Sequence, residues 1–150
     1  MATRVDWKRK DWKSTRGRRV LPHPVGLSSH IQLVCLPKND HGVVEEGSEV
    51  VIVGWGTTEM TKACSDAPGA NTLQQVKTVV RNWTHCCCAF NRFYDKMRDL
   101  CVGRRGEGSC YGDSGGPLLK EVNGKWFQYG VVSAGTTPTC SSGPSTNLLL

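Results

Sequence analysis

The residues in this chain best suited to covalent chemistry are Asp113 and Ser114, adjacent in the run SCYGDSGGPLL at 109–119. Gly112, Gly115 and Gly116 surround them, and Pro117 and two leucines follow. Such a run predicts a tight loop entering a strand, with Ser114 held out on a turn. Glycine serves where a backbone must approach a reacting group closely, because a Cβ would block it. A serine hydroxyl is a poor nucleophile until a neighbouring base takes its proton. The histidines available are His23, His30, His41 and His85. Reach to the hydroxyl comes before any role as base, and each of the four reads more simply as a surface or packing histidine.

The elements that must position this loop belong to a chain of 150 residues, the size of one domain with a single core. Hydrophobic residues make up 38%, and no apolar run reaches the length of about 20 that a membrane-spanning helix needs. The formal charge of +6 is carried entirely by residues 1–20, where eight Lys/Arg face Asp6 and Asp11. This stretch reads as a basic, disordered tail. Its charge would suit nucleic acid, heparin-like polymers or acidic membranes, with polyanion binding the lesser alternative. No apolar segment follows the basic residues, so the N-terminus is not a secretory signal peptide. Eight cysteines nevertheless point to an oxidising, extracellular setting. The sequon Asn82-Trp83-Thr84 agrees with that setting.

Residues 21–46 are proline-punctuated at their start and read as an extended connection. GSEVVIVGWGTT (47–58) is a β-branched run bounded by glycines, hence a buried strand. LQQVKTVVRNW (73–83) alternates as a strand does, and 86–99 is compatible with a short helix. PLLKEVNGKWFQYGVVSAG (117–135) divides into two strands around Asn123-Gly124, the dipeptide favoured in type I′ hairpin turns. Short strands joined by loops, with little helix, predict an all-β barrel or sandwich.

The chain resembles the C-terminal half of a chymotrypsin/trypsin-like serine protease. GDSGGPLL (112–119) is similar to that family's nucleophile motif. VCLP (34–37), VGWGTT (53–58), LQQV (73–76), LCVG (100–103) and GVVSAG (130–135) follow the family's order. The resemblance implies an antiparallel β-barrel of the chymotrypsin type, the second barrel only, spanning 47–140 and incomplete at both ends, with 141–150 a divergent tail. It also implies a serine endopeptidase acting by acyl transfer on polypeptides, secreted, open to protein inhibitors and without a cofactor. Ser114 would be the nucleophile, and the N–H groups of Gly112 and Ser114 the oxyanion hole. Asp113 would pair with an amino terminus created by activation cleavage, and Ser133 and Gly135 would line the substrate pocket. Gly108 falls where trypsin-like members carry an aspartate, so a chymotrypsin- or elastase-like preference is expected over a tryptic one.

Departures from the pattern are as informative. Neither an AAHC-type histidine motif nor a DIAL-type aspartate motif occurs in the chain. Asp11, the acid nearest the expected position around Thr15, lies in surroundings unlike a strand. Ile52-Val53-Gly54 lies within a predicted strand and is no activation site. The resemblance pairs Cys110 with Cys140, and Cys101 with one of Cys86, Cys87 or Cys88, Cys87 having the expected spacing. Cys35 and Cys64 are left without obvious mates. A zinc site at the HCCC run (85–88) is disfavoured, because three adjacent cysteines cannot comfortably converge on one ion. The expectation is therefore a protease-like chain that is inactive as it stands, with a non-catalytic binding module as the alternative.

Overall fold

The structure is a computed structural model that describes residues 13–15, 18–20, 23–37, 44–58, 68–86, 95, 98–104, 106–135 and 145–149. The chain divides into two compact units, residues 1–33 and 34–150. In the first, β1 (Lys13–Thr15) and β2 (Arg18–Val20) pair antiparallel, with Lys13 opposite Val20. The expected disordered tail thus contains a small hairpin. Beyond it, residues 23–33 are extended and exposed, with one turn closed by reciprocal backbone bonds between Ser28 and Ile31 at 3.0 and 3.3 Å.

The second unit is built on a six-stranded antiparallel sheet. Its strands are β3 (Glu49–Gly54), β4 (Gln74–Val79), β5 (Asp99–Val102), β6 (Pro117–Val122), β7 (Lys125–Gly135) and β8 (Ser145–Leu149), in the order β4-β3-β6-β7-β8-β5. Its two edges meet. Val80 bridges Val102, Arg81 N donates to Cys101 O at 2.8 Å, and Gly103 N donates to Val79 O at 3.0 Å. The sheet is thereby drawn round on itself, which satisfies edge groups that would otherwise be unpaired. Inside it pack Val44, Val50, Ile52, Val80, Leu100, Val102, Leu118, Tyr129 and Val132. Burying one such side chain is worth about 1.5–3 kcal/mol. This is the all-β architecture that the short β-branched runs predict, and among the described residues the one helical turn covers 84–86.

Two details position the site. The β6–β7 hairpin turns at Asn123 (φ 52°) and Gly124 (φ 74°), the paired positive φ of a type I′ turn. β8 lies between β5 and β7, hydrogen-bonded to both, with Asn147 opposite Leu100 and Val132. Residues 145–149 therefore form a strand of this sheet. What admits them is the pair of open edges that β5 and β7 present, more than any strong strand propensity of their own.

The disulfide also differs in detail from expectation. Cys101 pairs with Cys86, not Cys87. Cys86 lies in the helical turn with its side chain fully buried, bonded to the buried Cys101 of β5. Cys87, Cys88, Cys64, Cys140, His41 and Asp11 lie outside the described residues. Among the described cysteines Cys35 is a free thiol. Its backbone bonds across to β7, accepting from Gln128 N at 2.9 Å and donating to Trp126 O at 3.2 Å.

Candidate active site

The site is assembled from the loop 108–116 and the ends of β3 and β7. Gly112 has φ 96° and Gly115 φ 85°, in the left-handed region that glycine alone enters cheaply. Between them Asp113 is half-buried and Ser114 is exposed on the turn, as the glycine pattern predicts. The loop is pinned to β7 by Gly115 N donating to Val132 O and Val132 N donating to Gly116 O, both at 2.9 Å. Gly116 N also donates to Asp113 O at 2.8 Å, closing the turn.

The Asp113 side chain holds the other flank. One carboxylate oxygen accepts from Gly56 N at 2.8 Å and the other from Cys110 N at 2.9 Å. Charge-assisted bonds of this kind are about twice as strong as neutral ones. The Gly56 bond fastens the loop to the segment following β3, reinforced by Thr57 N donating to Tyr111 O at 2.8 Å, while the Cys110 bond closes the loop on itself. A Cβ at Gly54 or Gly56 would run into the Asp113 carboxylate. Gly54 and Gly56 are thus the positioning residues that sequence reading missed. The signal was the VGWG run itself, whose glycines mark a close approach.

Asp113 faces a cavity of about 180 Å³ lined also by Gly54, Gly56, Thr57, Gly106 and Gly108. Among the described residues no cation pairs with its carboxylate. Gly108 therefore joins Asp113 and Cys110 around one space, whereas Ser114, Ser133 and Gly135 do not line it. Ser133 and Gly135 are exposed at the end of β7, immediately beyond the Val132 that anchors the loop. Cys110 is disulfide-bonded, with its partner outside the described residues.

Among the described residues none hydrogen-bonds to the Ser114 hydroxyl. The His30 ring bonds to the neighbouring Ser29 hydroxyl at 3.1 Å, and the His85 ring to Asn82 O at 3.3 Å. Neither bond involves the serine loop. The geometry is that of a braced turn that leaves Ser114 exposed.

Fold and loop together define a β-protein of the chymotrypsin-like class carrying a GDSGG turn. Residues 19–147 match the trypsin family, and the chain belongs to it. It is 35% identical over 122 residues to testisin of Homo sapiens, covering 77% of this chain and 37% of testisin. It is 33% identical over 126 residues to chymotrypsin-C of Mus musculus, covering 81% of this chain and 44% of that protein. Ovochymase of Halocynthia roretzi is 32% identical over 119 residues, which cover 77% of this chain and 7% of ovochymase. The chain thus spans less than half the length of these relatives.

Proposed function

We propose that this chain is the nucleophile-bearing barrel of a serine endopeptidase, spanning 47–140 together with β8. It acts only when a first barrel supplies histidine and aspartate. The observation that carries this reading is the Asp113 carboxylate, which holds the GDSGG turn through two backbone amides and leaves Ser114 exposed. In the proposed reaction Ser114 Oγ attacks the scissile carbonyl of a polypeptide while the supplied histidine takes its proton. The N–H groups of Gly112 and Ser114 hold the developing oxyanion. Asp113 receives the ammonium of a processed amino terminus in the cavity it faces. Ser133 and Gly135 contact the substrate chain. Gly108 carries no charge, which favours apolar or aromatic side chains over Lys and Arg in the primary pocket. Secretion accords with the Cys86–Cys101 disulfide, and protein inhibitors that mimic substrate are the expected partners.

Taken alone the chain is inert. In a related triad system, loss of the base alone lowers turnover by about 10⁶. A fluorophosphonate probe applied to this chain should leave Ser114 unlabelled. The same probe applied to the native protein, captured through peptides spanning Ser114, should label a species larger than 16.4 kDa. Labelling of the isolated chain that vanishes in Ser114→Ala would overturn the reading and demand an unrecognised base.

A non-catalytic binding role is the second reading. It is favoured by the apolar side chains left exposed over 25–36, among them Leu33 at 81% and Leu36 at 59%. A native species of 16.4 kDa that leaves Ser114 unlabelled would support it.

A further inference from the structure

We infer that Asn82 is an acceptor for an N-linked glycan. Asn82-Trp83-Thr84 is the one Asn-x-Ser/Thr triplet in the sequence. Its three-dimensional form goes beyond the motif. Asn82 lies just past β4, where the chain leaves the sheet, and it starts the helical turn at 84–86. Its side-chain oxygen Oδ1 accepts from Thr84 N at 3.1 Å and from the Thr84 hydroxyl at 2.9 Å. The sequon is therefore folded into a turn in which the threonine hydroxyl already touches the asparagine amide.

The cap and the acceptor functions use different atoms. Oδ1 alone makes the turn, as a helix-capping asparagine does. The amide nitrogen Nδ2 has two hydrogens, and one of them is donated to Glu46 Oε2 at 2.9 Å. N-glycosylation replaces one hydrogen of Nδ2 and leaves Oδ1, the atom that makes the turn, untouched. Trp83, Thr84 and Glu46 are exposed, so a bulky glycan projects from the surface without displacing core. The sequon also sits beside chemistry of the right compartment. Arg81 N bonds to Cys101 O at 2.8 Å, and Cys86, four residues after Asn82, is disulfide-bonded to Cys101. Disulfides of this kind form where N-glycans are added.

The step balances with a polyprenyl-diphosphate-linked oligosaccharide as donor. Asn82 Nδ2 attacks the anomeric carbon, and a C–N bond forms as the C–O bond to diphosphate breaks. The bonding electrons leave with the polyprenyl diphosphate, and the transferring enzyme takes the displaced amide proton.

The test is to pass the full chain through the secretory route of eukaryotic cells and map the product with and without peptide-N-glycosidase. Non-reducing mapping of the Cys86–Cys101 bond reports folding and lumenal passage in the same sample. The expected result is one glycan, removed by the glycosidase with conversion of Asn82 to aspartate. It should be lost in Asn82→Gln and Thr84→Ala and retained in Thr84→Ser. An unmodified Asn82 in chains that carry the Cys86–Cys101 bond overturns the inference, as does a glycan that persists in Asn82→Gln.

Discussion

The loop at 108–116 and the β6–β7 hairpin lie next to each other in sequence, yet different things hold them. The hairpin turns at Asn123-Gly124, two residues whose own preferences suit positive φ, and its strands pair outward from that point with Val122 opposite Lys125. The loop is held by the carboxylate of Asp113 on an amide 57 residues away, and by two backbone bonds to β7. One region is specified by neighbours along the chain, the other by neighbours in space.

The comparison is broken most severely where both regions share the core. Leu118, fully buried at the junction of loop and hairpin, should cost about 2–5 kcal/mol on Leu118→Ala. Urea unfolding should show both regions losing protection together; separate transitions would mean that the two are not one cooperative unit. The next effect belongs to the loop alone. Asp113→Ala leaves the Gly56 and Cys110 amides without their acceptor, at about 1–3 kcal/mol each. Faster hydrogen exchange at those two amides, with the hairpin unaffected, is the expected pattern. Asp113→Asn keeps acceptor oxygen and should fall between Asp113→Ala and wild type.

A smaller effect isolates the hairpin. Asn123→Val forces a β-branched residue to φ 52° and should cost about 1–2 kcal/mol in thermal unfolding. The loop should be unchanged, and an altered loop would erase the distinction between the regions. The smallest concerns neither region. Lys77 and Glu49 form a surface pair at 3.5 Å with both side chains about two-thirds exposed, so Lys77→Gln should shift stability by about 0.5 kcal/mol. That difference should fade as salt is raised.

Much of this was legible in the residues. The run 49–54 reads as a strand because β-branched residues crowd it, and Val50 and Ile52, two apart, enter the core from one face. GDSGG reads as a turn because its glycines permit conformations that other residues resist. Less legible were the features decided by remote partners. Three adjacent cysteines leave the choice open in sequence, and the fold bonds Cys86 to Cys101. Residues 145–149 carry a weak strand pattern, and they join the sheet because β5 and β7 each present an open edge.

By itself the sequence determined the strand runs, the Asn123-Gly124 turn, the family motifs, the sequon and the lack of the family's histidine and aspartate motifs. These reside in side-chain type, periodicity and dihedral preference, which each residue brings with it. The tertiary structure decided which amides hold Asp113, why Gly54 and Gly56 tolerate no side chain, which cysteine bridges Cys101 and where β8 lies. A half-buried carboxylate, an open strand edge and a buried thiol are each costly until they meet a partner, and the partner is whatever the closed sheet brings within bonding distance.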